Sequence, residues 1–122
     1  MEPLILLVGE NLLLLSRAQN QLQQMNYRVH TERDPAAMAA AVREHQPLFV
    51  MLDLTCKRSD PCAAITSLKA DEKLKQTPVL AFADHTNAAL LEGARAAGAE
   101  VVTSNGAIAQ HLPQLIERVL EV

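Results

Sequence analysis

Short apolar runs alternate with longer amphipathic segments along the chain. Leu4-Ile5-Leu6-Leu7-Val8, Leu48-Phe49-Val50-Met51-Leu52, Val79-Leu80-Ala81-Phe82-Ala83 and the brief Val101-Val102 are continuous apolar runs. Runs of about five such residues suit strands covered on both faces, as in a parallel sheet, although buried pieces of helix share the pattern. Tyr27 to Thr31 alternates in polarity and predicts a weaker strand.

The intervening segments read as helices. Asn11 to Met25 carries Leu14, Ala18, Leu22 and Met25 on one predicted core face, with Leu15 at its border. Asn26 follows, a residue that tolerates the left-handed conformation of a helix end. Asp34-Pro35 and Asp60-Pro61 are each a cap followed by a first-turn proline, and they predict helices to about His45 and Ala70. Thr86 or Asn87 opens a fourth helix that Gly98 closes. A fifth is predicted from about Ala107 to Glu121, with Pro113 confined to its first turns. The β-α order repeats five times, which implies one α/β domain over residues 1–122: a parallel sheet with helices on both faces and right-handed crossovers.

Composition narrows the function. Hydrophobic residues make up 49% and charged residues 20%, a globular balance that excludes intrinsic disorder. A net charge of -3, no Trp, one Tyr and two Phe leave neither a basic footprint nor a stacking platform for nucleic acid. No stretch approaches the roughly 20 apolar residues that span a membrane, and without the basic n-region of a signal peptide the apolar run at Leu4 is not expected to act as one. Two cysteines fit a reduced protein, so a cytoplasmic location is expected. Cys56 and Cys62 match neither a redox nor a zinc spacing, and His30, His45, His85 and His111 show no i, i+4 pairing. These residues read as packing and surface positions.

In open α/β sheets, chemistry collects beyond the carboxyl ends of the strands. The residues there are Gly9 and Glu10, Asp53, Ala83 and Asp84, and Thr103, Ser104 and Asn105. Asp53 ends a fully apolar run, and a carboxylate so placed must be solvated, paired or used. A solvated loop-starting Asp is the plain alternative.

Over its full length the chain resembles a response-regulator receiver domain, the phosphoacceptor module of two-component signalling. The first strand at Leu4–Val8, the strand ending in Asp53, Thr77-Pro78-Val79-Leu80 and Ala97-Gly98-Ala99-Glu100 carry the likeness by their order and spacing. The resemblance implies a flavodoxin-like, doubly wound five-stranded sheet of order 2-1-3-4-5, with Asp53 as the phosphoacceptor. It also implies an acidic pair that holds Mg²⁺ with that aspartate, a hydroxyl after the fourth strand, a lysine after the fifth, and an aromatic switch.

Only part of that set is present. The acidic pair reads Gly9-Glu10, so Glu10 and Asp53 are the remaining metal candidates, with Asp84 as a further carboxylate. The hydroxyl position is Ala83, the lysine position Asn105, the aromatic position Val102, and the usual proline beyond the phosphoacceptor is Lys57. Losing a cation and a metal carboxylate removes two charge-stabilising groups, each worth several kcal/mol in comparable sites. The sequence thus predicts a degenerate, stand-alone receiver-like module without enzymatic turnover or bound cofactor, acting through a protein partner such as a histidine kinase or a downstream signalling protein, or as a homodimer. In such a pocket Asp53 is expected to bond to neighbouring backbone N–H groups, Asn105 or a loop cation. The alternative is a working receiver phosphorylated on Asp53 with Mg²⁺, in which Lys57 or Arg58 supplies the missing charge. A small enzyme or nucleotide-binding protein of flavodoxin-like shape is a third class. Leu12 and Leu13 point away from the core face and are candidates for a partner-binding patch beside the pocket. The alanine-rich fourth helix belongs to the face on which receiver-like proteins usually dock.

Overall fold

A computed structural model describes residues 2–121. Five strands form one parallel sheet of order β2-β1-β3-β4-β5: β1 Leu4–Val8, β2 Arg28–Glu32, β3 Phe49–Asp53, β4 Val79–Ala83 and β5 Val101–Ser104. Around them lie α1 Leu12–Gln24, α2 Met38–His45, α3 Pro61–Ala70, α4 Ala88–Ala97, α5 Asn105–Gln110 and α6 Leu112–Leu120. A single 3-10 turn, Pro35–Ala37, leads into α2.

The continuous apolar runs are strands because both sheet faces are covered. Ile5, Leu7, Phe49, Met51, Leu80 and Phe82 face one core, closed by α1, α5 and α6. Leu6, Val8, Val50, Leu52, Val79 and Ala81 face the other, closed by α2, α3 and α4. Each large side chain so buried contributes roughly 1.5–3 kcal/mol, and the three central strands are buried at every position. The edge strand β2 is only half-buried, which is why its sequence alternates.

The caps fall where the sequence puts them. Asp34 accepts from the Ala36 N–H, Asp60 from the Cys62 and Ala63 N–H groups, and Asn11 from that of Leu14. Asn26 is left-handed at φ 71°, and Gly98 closes α4 at φ 111°. A side chain on Gly98 would also meet the Lys69 stem at 3.2 Å.

Three expectations need correction. β5 runs on through Thr103 and Ser104, which belong to the strand rather than the loop beyond it. The predicted fifth helix is two: Ser104 caps α5 at once, α5 stops at His111, and Pro113 then sits in the first turn of α6. In α1 the core face is centred on Leu15, Ala18 and Leu22, while Leu14 and Met25 are its half-buried flanks. The wheel is rotated because Leu15 turns in against the sheet beneath Gly9.

Candidate functional site

The carboxyl ends of β1, β3, β4 and β5 meet at one rim of the sheet, and Asp53 is the buried charged residue there, 2% exposed. Its Oδ1 accepts the Thr55 N–H at 2.9 Å and the Thr55 hydroxyl at 2.7 Å. A carboxylate removed from water at this depth needs such donors. They come from two residues along the chain in a tight turn, which Asp and Thr favour at this spacing. The backbone N–H expectation therefore holds through Thr55, whereas neither Asn105 nor a loop cation bonds to Asp53 among the described residues. Oδ2 of Asp53 accepts no hydrogen bond from them.

Gly9 supports this burial by having no side chain. A Cβ there would stand 2.5 Å from the Asp53 Cβ and 3.3 Å from Oδ2, and φ is +154°. The Gly9 N–H is fixed by the Glu32 carbonyl at 2.9 Å, so the backbone cannot easily retreat.

Glu10 is turned toward the loop after β3. Its Oε1 accepts the Cys56 thiol at 3.0 Å and lies 3.6 Å from Arg58 Nε. The thiol donor, the Arg58 and Lys57 backbone amides and the Arg58 charge together hold the Glu10 carboxyl below its usual range. Cys56 is buried, lies 3.2 Å from the Arg33 carbonyl, and its thiol is pushed up by desolvation, by its bond to Glu10 and by the charges of Glu10 and Asp53. A raised thiol is the opposite of a reactive one. Cys62 is also raised by burial, in keeping with its packing role.

The other predicted positions are dispersed. Ala83 is fully buried in the α2–α4 core and presents no polar atom. Asp84 Oδ1 accepts the Thr86 N–H and hydroxyl at 2.9 and 2.8 Å, donors that lower its carboxyl. Val102 is half-buried against that same core. Asn105 opens α5, and its buried Oδ1 has no hydrogen-bond partner among the described residues. Lys57 is exposed. Leu12 and Leu13 are 60% and 72% exposed, at the start of α1 and directly after the Glu10 loop.

Sequence reasoning missed Thr55 and the Cys56–Glu10 contact. An Asp-x-Thr turn was available as a signal for the first. Nothing local could reveal the second, whose partners are 46 residues apart. Lys69 was missed as well: its Nζ donates to Glu100 Oε2 at 2.6 Å and to the Lys75 and Thr77 carbonyls, while Glu100 Oε1 accepts the Val79 N–H. This cluster ties α3 to the beginnings of β4 and β5, at the end of the sheet away from Asp53.

No protein-family model matches the chain, and no curated protein matches it by sequence. Its fold, in contrast, is shared with solved response-regulator structures. A Chloroflexus aurantiacus chain described as a response regulator superposes with TM-score 0.90 over 100% of both chains at 14% identity. The receiver domain of NtrX from Brucella abortus gives 0.82 over 97% of this chain and 98% of that one, at 25% identity. A LuxR-family two-component response regulator from Aurantimonas gives 0.82 over 99% and 86%, at 23% identity. The flavodoxin-like receiver architecture and its strand order are thus established for this chain.

Proposed function

We propose that this chain, built on the receiver fold, is a cytoplasmic two-component-type signalling module that works by binding protein partners, with little or no phosphorylation of Asp53 and no turnover of its own. The arrangement of Glu10 carries this reading: the one carboxylate left from the metal-holding pair is bonded to the Cys56 thiol and faced by Arg58.

The residues present do not fit the Mg²⁺ that the fold family implies. That ion requires near-octahedral oxygen ligands at about 2.0–2.1 Å and dehydrates reluctantly. Gly9 supplies no side-chain oxygen and has no room for a side chain, Glu10 is engaged elsewhere, and among the described residues no three acidic, His or Cys side chains converge. The positions that would contact a phosphoryl group point the same way. Ala83 offers no hydroxyl and Asn105 no charge, and with Val102 in place of an aromatic, neither partner of a hydroxyl–aromatic relay is present. A group that makes no differential contact with two states cannot shift their populations.

One observation favours the alternative of a working phosphoacceptor. Asp53 Oδ2 has no hydrogen-bond partner among the described residues, which leaves one oxygen able to attack an electrophile. Incubation with Mg²⁺ and a small acyl phosphate, followed by intact-mass measurement, separates the two readings. We expect no adduct. A stoichiometric gain of about 80 Da, one phosphoryl group, mapped to Asp53 would replace the proposal with the alternative.

A further inference from the structure

The sheet ends on β2, and among the described residues no strand pairs with its outer edge. In a parallel ladder alternate residues turn both backbone groups toward the neighbouring strand. The Arg28 N–H bonds to the Pro3 carbonyl and the Glu32 carbonyl accepts from Gly9, so Arg28, His30 and Glu32 are the residues bonded to β1. Val29 and Thr31 therefore direct their N–H and C=O groups outward, and no described group bonds to them there. Edge strands left in this state are templates for further pairing.

The charges on β2 specify what would pair. Arg28-Val29-His30-Thr31-Glu32 is antisymmetric in charge about its centre. We propose that β2 pairs antiparallel with β2 of a second copy of this chain, about a two-fold axis through His30, giving a continuous ten-stranded sheet. In that register Val29 lies opposite Thr31 of the second copy, and Thr31 opposite Val29. These are the residues with outward groups, so each pair exchanges two backbone hydrogen bonds and the ribbon makes four. Arg28 lies opposite Glu32 of the second copy, twice by symmetry, on one face of the sheet. A one-residue slip of the pairing sets outward groups against inward ones and loses every bond. Slipping by two sets Arg28 against His30 or His30 against Glu32 and shortens the overlap.

The side chains are free for this. Arg28 is exposed and uses Nε on the Glu2 carbonyl at 3.0 Å, which leaves its two terminal amino groups without a partner among the described residues. Glu32 contacts His30 through one oxygen only, at 3.3 Å. A five-residue ribbon is a small interface, so the association is weak, concentration-dependent and isologous. It involves neither Asp53 nor a phosphoryl group and stands whatever happens at that pocket.

Sedimentation velocity from about 10 µM to about 1 mM, a range that brackets weak dimers, tests this. The wild-type chain should shift from monomer toward dimer. Arg28→Glu and Glu32→Arg should each weaken association about tenfold, from two attractive cross-strand pairs made repulsive. Mixed together they should associate at least as well as wild type, because both pairs are then opposite in sign. Thr31→Pro removes an outward N–H that the β1 ladder does not use, and should abolish the dimer with an unchanged far-UV spectrum. If Thr31→Pro unfolds, the mixing experiment still decides. A chain that stays monomeric to about 1 mM overturns the proposal, and so does a dimer that the two charge reversals leave unaltered.

Discussion

The Gly9 backbone passes so close to Asp53 that a methyl group on Gly9 would sit 2.5 Å from the Asp53 Cβ. A residue that looks like a simple loss in the sequence is a packing requirement in the structure. Gly9→Asp, the obvious reversion toward a metal-binding pair, is therefore expected to destabilise the fold instead of restoring function. The collision costs about 1–3 kcal/mol, as overpacking usually does, and the positive φ adds to it. Urea unfolding of Gly9→Asp and Gly9→Ala should show losses of similar size, with no Mg²⁺-dependent gain for the Asp variant. A Gly9→Asp protein as stable as wild type and saturated by submillimolar Mg²⁺ would show that the pocket adapts.

Thr55 should matter for stability through Asp53 and not through its own burial, since it is exposed. Thr55→Val removes the 2.7 Å hydroxyl donor and keeps the backbone one. Losing a hydrogen bond to a buried charged group costs about 1.5–3 kcal/mol. In an Asp53→Asn background, where the charge is gone, the cost should fall below about 1 kcal/mol. A double-mutant cycle by chemical denaturation measures the difference, and equal costs in the two backgrounds would remove Thr55 as the partner of the charge.

The Cys56–Glu10 contact has a pH window set by both partners. Glu10 is depressed below its ordinary 4.5, so the stability it contributes is full above that value and fades as pH falls through the lowered one. The Cys56 thiol is raised above its ordinary 9.0, so its contribution is full below that value and is lost as pH rises through the raised one. Between the two ordinary values the contact is intact. In a Cys62→Ala background, thiolate absorbance should titrate above the ordinary thiol range. Glu10→Ala removes the acceptor and one of the two charges, so it should bring that titration down, leaving burial as the main remaining cause. An unchanged titration would mean that burial alone holds the thiol up.

How far the sequence could be read follows from how local each signal is. The strands were legible from Leu4–Val8 and Val79–Ala83, because full burial on both faces leaves only apolar residues. The helix starts were legible from Asp34-Pro35 and Asp60-Pro61, because a cap acts within three residues. The break at His111 was not. Pro113 is the seventh residue of a helix begun at Ala107, where it strains the backbone without saying where the helix divides, and the packing of Ile108, Leu112 and Leu115 on the sheet goes with two short helices. The site divides in the same way. Asp53 announced itself by ending an apolar run, and its Thr55 partner lay two residues on. The Gly9 contact, the Cys56–Glu10 bond and the Lys69–Glu100 pair join distant segments, and no periodicity encodes them.

Lys69 and Glu100 should behave as a half-buried pair, their side chains being 16% and 24% exposed. Lys69→Met is expected to cost about 2–4 kcal/mol, toward the lower side of a broken buried pair because solvent still reaches both groups. It strands Glu100 and leaves two carbonyls without their donor. Lys69→Met with Glu100→Gln should recover part of that, since the amide keeps an acceptor for the Val79 N–H. A double variant no more stable than the single one would mean that the carbonyl contacts, and not the ion pair, dominate.

Leu12 and Leu13 give the sharpest separation between stability and binding. Substituting them with Ser should change unfolding free energy by no more than about 0.5 kcal/mol, because they contribute almost nothing to the core. Leu15→Ser, on the buried face of the same helix, should cost at least about 2 kcal/mol by cavity and polar burial together. Two adjacent exposed leucines beside the Glu10 loop are nonetheless an apolar surface that a partner can desolvate, at about 25 cal/mol for each Å² covered. If this patch takes part in the proposed signalling contact, Leu12→Ser with Leu13→Ser should weaken partner binding at least tenfold in calorimetry while the melting curve stays in place. Asp53→Asn should leave the same binding within about twofold, since the contact would not depend on a phosphoryl group. Loss of binding in Asp53→Asn, with the leucine variant unaffected, would move the functional surface from the α1 patch into the aspartate pocket and revive the phosphoacceptor reading.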